Sequence, residues 1–170
     1  MPTIRVRLVN LTFQHARPRL QIQFDYLRNS IVLPGAWSRE IIRDLEPGAV
    51  DSLMAMADKI VRSREQRAWD SLPMVRDIAI RHIDAHRYKA ENYGVAIAYA
   101  RLGADGEPLE GFDGATMFRC IEGQYEWPGG DTNEGLSAEL PAVAQAIFDW
   151  AESYVEENIV NKEAAQSGKA

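Results

Sequence analysis

Residues 93–106 read YGVAIAYARLGADG, and this stretch joins a clear strand pattern to a turn signal. The segment from Tyr93 to Leu102 is typical of a β-strand, and Asp105-Gly106 is typical of a hairpin turn. A further strand pattern follows at residues 115–122. Together these stretches predict antiparallel strands in the second half of the chain.

Strand patterns also occur near the start of the chain. Ile4, Val6 and Leu8 alternate with arginines, which is the period-two pattern of a half-buried strand. Residues 20–25 repeat that pattern, so we expect an antiparallel pair joined by a long loop. Residues 74–88 fit both a strand and a helix, and we prefer the strand.

Three segments have helical signals. Ser38 is a suitable N-cap for a short helix to about Glu46, which Pro47-Gly48 would end. Apolar residues recur at helical spacing from Val50 to about residue 67, and again from residue 140 to residue 155. The order of elements predicts an α+β domain over residues 1–161. We expect an antiparallel sheet of about five strands, two or three helices mainly on one face, and a flexible tail over residues 162–170.

The composition limits the class of protein. The 170 residues are 46% hydrophobic and 26% charged, which is typical of a globular domain. The single cysteine excludes a disulfide within the chain, and the longest apolar run is too short to span a membrane. We therefore expect a cytoplasmic protein without membrane association. The excess of 15 Arg over 4 Lys indicates a GC-rich genome, and hence a bacterium or a bacterial mobile element.

Charge is divided unevenly along the chain. Residues 1–102 carry 16 of the 19 Lys and Arg but 11 of the 25 Asp and Glu. Residues 103–170 carry the other 3 basic and 14 acidic residues. Such asymmetry favours a surface that meets an oppositely charged partner.

The sequence His82-Ile83-Asp84-Ala85-His86 offers metal-ligating side chains. On a strand, residues two apart share a face, so the two imidazoles and the carboxylate would project together and could bind a zinc-like divalent ion. His15 could complete such a set. The alternative interpretation is a solvated strand face with three polar residues. If the ligands do converge, the protein would be a metal-dependent hydrolase.

Two other features have structural explanations. Cys120 lies in an apolar strand pattern, which favours a buried small residue over a nucleophile. The glycine-rich stretches at 103–107 and 111–114 match neither a phosphate loop nor a calcium loop, so we interpret them as turns.

Arginines in the first strands and in the first long helix could form a basic surface. Arg5 and Arg7 belong to the first strand, and Arg62 and Arg67 belong to the helix. If they share one side of the fold, they could bind nucleic-acid phosphates. An overall pI near 5.1 weakens this alternative.

The acidic residues of the terminal helix support the leading hypothesis. The candidate contact residues are Asp149, Glu152, Glu156 and Glu157. At spacings of three and four they would present a negative face to a basic protein. We therefore expect a non-enzymatic protein-interaction domain of the inhibitor, immunity or adaptor kind, without a cofactor, and monomeric or a small homo-oligomer.

Overall fold

The computed structural model describes residues 3–14, 17–28, 31–32, 38–69, 72–89, 92–122, 124–126 and 140–160. The strands in these ranges are β1 Thr3–Gln14, β2 Arg17–Arg28, β3 Ile31–Val32, β4 Ser38–Asp44, β5 Asp77–Lys89, β6 Asn92–Leu102, β7 Gly114–Ile121 and β8 Gln124–Glu126. The helices are α1 Asp51–Trp69 and α2 Leu140–Val155. A 3-10 turn at Pro47–Val50 precedes α1, and a π-helical turn at Glu156–Val160 follows α2.

All strands join one antiparallel sheet. Its order is β3-β2-β1-β5-β6-β7-β8, and β4 also pairs with β2. Six strands have at least seven residues, while β3 and β8 are short. The predicted α+β class with an antiparallel sheet is therefore confirmed, although the sheet has more than the expected five strands. The predicted tail over 162–170 lies outside the described residues.

The helix predicted from Ser38 to Glu46 is wrong, because this segment forms strand β4. Its residues pair with β2 from Arg19 opposite Asp44 to Asp25 opposite Ser38. This pairing turns Ile41 toward the core and leaves Ile42 on the surface. The two adjacent β-branched residues favour an extended backbone, and the sheet pairing outweighs the capping signal of Ser38.

One face of the sheet, called here the helical face, forms the core with both helices. Alternate residues of β1, β2, β5, β6 and β7 are buried there against the apolar sides of α1 and α2. Phe24, Phe118 and Phe148 are among the largest fully buried side chains. Burying a side chain of this size contributes about 1.5–3 kcal/mol to folding. The apolar stripes predicted for both long helices thus provide the contacts that hold them on the sheet.

A buried polar cluster also links α1 to β6. The Glu65 carboxylate is 3% exposed and accepts hydrogen bonds from Arg101, with Nη2 at 2.8 Å and Nε at 3.0 Å. The Tyr99 hydroxyl donates a hydrogen bond to the same carboxylate. Burial, and then this hydrogen bond, raise the pKa of Tyr99. The hydrogen bonds with Glu65 likewise raise the pKa of Arg101, so Arg101 stays charged, Tyr99 keeps its proton, and both side chains donate to Glu65 on α1.

Candidate functional site

The other face of the sheet, called here the open face, carries the histidine motif. The preferred strand interpretation of residues 74–88 is confirmed from Asp77 onward, where β5 begins, whereas residues 74–76 precede the strand. On this face, three residues of β1 stand opposite the motif in β5: Thr12 opposite His82, Asn10 opposite Asp84 and Leu8 opposite His86. The two imidazoles and the carboxylate therefore do project from one face, as the period-two pattern predicts.

The contacts of this motif tie it to its neighbours. Thr12 Oγ1 lies 2.8 Å from His82 Nδ1, and His86 Nε2 lies 2.9 Å from Asp84 Oδ1. Four residues of strand separate the two histidines by about 13 Å, whereas ligands of one zinc ion lie about 2 Å from it. Among the described residues no group of three metal-ligating side chains converges, and His15 lies outside them. Strand spacing thus weakens the metal interpretation, which stays a prediction.

The arginines of the predicted basic surface are divided between two sides of the molecule. Arg5 lies between the buried Ile4 and Val6, which places it on the open face, and Arg7 is the extra residue of a β-bulge between Val6 and Leu8. Arg7 Nε lies 2.9 Å from the Asp25 carboxylate. The structure therefore uses Arg7 in an ion pair within the sheet.

Arg62 lies on α1, on the side of the molecule where the helices pack. Its Nε is 2.6 Å from Asp58 and its Nη2 is 2.5 Å from Asp77. These hydrogen bonds raise the pKa of Arg62, and the bond from Arg62 lowers the pKa of Asp77. The side chain of Arg67 lies outside the described part of the structure. The structure therefore does not bring Arg5, Arg7 and Arg62 together as one patch, and their phosphate contacts stay a prediction.

The predicted acidic residues fall into two groups. Asp149, Glu156 and Glu157 are exposed on α2 and the π-helical turn. Gln145 Nε2 donates a 3.2 Å hydrogen bond to Asp149 Oδ1, which supports the helix surface. These three carboxylates form the surface called here the acidic stripe.

Glu152 differs because it faces the sheet. It forms an ion pair with Arg87, whose side chain is 8% exposed, and it accepts a 3.2 Å hydrogen bond from the Val6 backbone N–H. Arg87 Nε donates at 3.2 Å to the Val6 carbonyl, and its guanidinium lies 4.6 Å from the Phe148 ring centroid. The outward orientation predicted for Glu152 is wrong for this reason. A β-bulge in β1 after Val6 leaves backbone groups that this pair satisfies.

A groove on the open face is the feature that the sequence analysis missed. Gly94, Ala96 and Ala98 on β6 form a low floor between β5 and β7. One end encloses about 560 Å³ and the other about 390 Å³, and both ends share Asp84, Ala96 and Met117. They therefore form one continuous groove. The signal that could have found it is the run of small residues at every second position.

The walls of the groove combine apolar and charged groups. Met117, Ile121 and Tyr88 are 39%, 48% and 80% exposed. Arg119 leans over the floor, since its Cγ lies 3.8 Å from the position that a Cβ on Gly94 would occupy. Volumes of about 300–1,000 Å³ with apolar walls and few polar groups are typical of ligand sites.

Cys120 is 2% exposed and belongs to the core, as its sequence context predicts. Gly106 and Gly111 have φ of 78° and 79°, so the turn interpretation of the glycine-rich stretches is confirmed. Comparisons with protein-family models, curated proteins and solved structures each return no match. Neither helix in the described ranges has the length and apolar character needed to cross a bilayer.

Proposed function

We propose that this chain is a non-enzymatic, cytoplasmic protein-interaction domain of the inhibitor, immunity or adaptor kind. In this proposal the acidic stripe of Asp149, Glu156 and Glu157 contacts a basic surface of the partner. The observation that supports it most is the one-sided charge of the terminal segment. Residues 140–160 contain four carboxylates and no Lys, Arg or His, and among the described contacts one of the four, Glu152, pairs with the sheet.

The packing of α2 makes its outer surface available. Leu140, Ile147, Phe148, Ala151 and Val155 are buried beneath the helix, so the helix is held without help from its outer side. Seven residues of helix rise about 10 Å, which is the spacing from Asp149 to the first acid of the π-helical turn. Three carboxylates along such a length create a negative potential that accelerates encounter with a cationic partner.

Glu152 has a different role in this proposal. Its ion pair with Arg87 and its hydrogen bond from Val6 join α2 to the bulge of β1. We therefore treat Glu152 as the residue that fixes the position of the acidic stripe, and we remove it from the predicted contact surface.

The test compares two variants that change the same amount of charge. One carries Asp149→Lys, Glu156→Lys and Glu157→Lys. The control carries Glu107→Lys, Glu110→Lys and Asp113→Lys, which are exposed acids in the connection between β6 and β7. Each tagged protein is used to recover partners from a host lysate at increasing salt.

We expect one basic partner to be recovered by the wild type and the control, and to be lost with the stripe variant. Equal recovery by all three proteins would show that the stripe is only a solvated surface. Equal loss in both variants would attribute binding to net charge and reject this choice of interface.

A further inference from the structure

We infer that the groove along β6 on the open face binds a small amphiphilic anion, with an apolar acyl or aromatic body and one acidic head group. This site is separate from the acidic stripe, which lies on the helix side. The inference rests on the shape, the hydrogen bonding and the charge of the groove. Each of these properties limits the kind of molecule that can bind there.

The dimensions exclude a helix. The long walls are the side chains of β5 and β7, whose backbones flank β6 and are therefore about 10 Å apart, and Arg64 of α1 also lines the smaller end. A helix with its side chains is about 10–12 Å wide, so it cannot lie between these walls. The floor from Gly94 to Ala98 extends about 13 Å along the strand. An acyl chain or a flat ring fits this space.

The floor also disfavours a peptide. The backbone groups of β6 pair with β5 on one side and with β7 on the other. The floor therefore presents methyl groups and Cα atoms, and offers no backbone partner to a bound chain. A peptide would lose water from its own N–H and C=O groups without replacement bonds, at a cost of about 1–3 kcal/mol for each group. An apolar body has no such cost.

The charges on the walls select an anion. The described lining of the larger end contains the cation Arg119 and the imidazole of His86, which is 44% exposed. The carboxylate of Asp84 is shared by both ends and lies 2.9 Å from His86 Nε2, and the smaller end adds a second cation, Arg64. An acidic head group near Arg119 and His86 leaves the apolar body over Ala96 and against Met117. Charge-assisted hydrogen bonds to a guanidinium are among the stronger contacts available to such a head group.

The experiment titrates the full chain with sodium decanoate and with 2-naphthoate, each compared with its neutral alcohol, 1-decanol or 2-naphthalenemethanol. Binding is followed by amide chemical shifts and calorimetry, below the concentration at which decanoate aggregates. We expect saturable binding of at least one anion at one equivalent, with shifts centred on β6. The alcohols should bind about tenfold more weakly because they lack the charged head group. Comparison of the two anions distinguishes an acyl ligand from an aromatic one.

Variants locate the site. The Ala96→Leu variant fills the space above the floor and should abolish binding. If the Ala96→Leu variant does not fold, the Ala98→Leu variant serves for the same test. Arg119→Gln should weaken anion binding about tenfold without changing the affinity for the alcohols. Gln21→Leu is the matched control, because it adds an apolar side chain to the open face on β2, outside the groove. It should bind as the wild type does.

Three results would overturn the inference. The first is no saturable binding of either anion to the wild type. The second is unchanged affinity in the folded Ala96→Leu or Ala98→Leu variant. The third is equal affinity for the anions and the alcohols, which would show that the groove does not recognise an acidic head group. A capped acidic peptide is tested in parallel, and its binding without either small anion would reject the choice of occupant.

Discussion

Replacement of Glu152 by Ala should destabilise the fold far more than replacement of Asp149, the other acid on α2. The change leaves the Arg87 guanidinium, 8% exposed, without its carboxylate, and it leaves the Val6 N–H without its acceptor. Loss of a charged hydrogen bond costs about 1.5–3 kcal/mol, and an unpaired buried N–H costs about 1 kcal/mol or more. Glu152 is 29% exposed, so water can partly replace it. We therefore expect a loss of about 2–3 kcal/mol in the free energy of unfolding.

Urea denaturation followed by circular dichroism measures this loss, and the denaturant slope should stay unchanged. Asp149→Ala is the control on the same helix and should cost less than about 0.5 kcal/mol. Glu152→Gln keeps an acceptor oxygen, so its loss in the free energy of unfolding should lie between those of Glu152→Ala and Asp149→Ala. A double-mutant cycle with Arg87→Met should give a coupling energy above about 1 kcal/mol. The reasoning is refuted if Glu152→Ala and Asp149→Ala cost the same.

Three further predictions concern the sheet. Gly114→Ala should lower the free energy of unfolding by about 1–3 kcal/mol in thermal denaturation, because a Cβ there would collide with the Tyr99 ring. Gly94→Ala is the control and should be nearly neutral, because its Cβ would make only ordinary van der Waals contacts. The pKa of Tyr99 is raised above its usual 10.0, so the native state holds a proton that the unfolded state loses. Stability should therefore fall as pH rises above about 10, and Tyr99→Phe should reduce this fall in urea titrations. Added zinc should leave the melting temperature unchanged, because strand spacing separates His82 from His86. One tightly bound equivalent that is lost on replacing both histidines by Ala would contradict this and favour the metal alternative.

Much of the fold could be predicted because burial on one face of a strand imposes a period of two. That pattern identified β1, β2, β6 and β7, and the apolar stripes identified α1 and α2. Strand β4 could not be predicted from local signals. Its extended form depends on pairing with β2, and Ser38 has the same capping chemistry in isolation as at a true helix start.

The site was less predictable because its geometry depends on distant pairs. The common face of His82 and His86 follows from alternation, and their separation of about 13 Å follows from the rise of a strand, so both could be predicted from the sequence. The Arg87–Glu152 pair joins residues 65 positions apart through a bulge that leaves no sequence signature. The spacing of acids along α2 therefore could not distinguish Glu152 from the acidic stripe.

The most direct test of the central claim is the association rate with the purified basic partner recovered by the wild type. We predict that lysines at Asp149, Glu156 and Glu157 lower this rate at least tenfold at low salt, since electrostatic steering changes association rates by about 10–10³. The control variant at Glu107, Glu110 and Asp113 should lower it much less. Equal rates for both variants, or no change in either, would contradict the assignment of the acidic stripe as the interface.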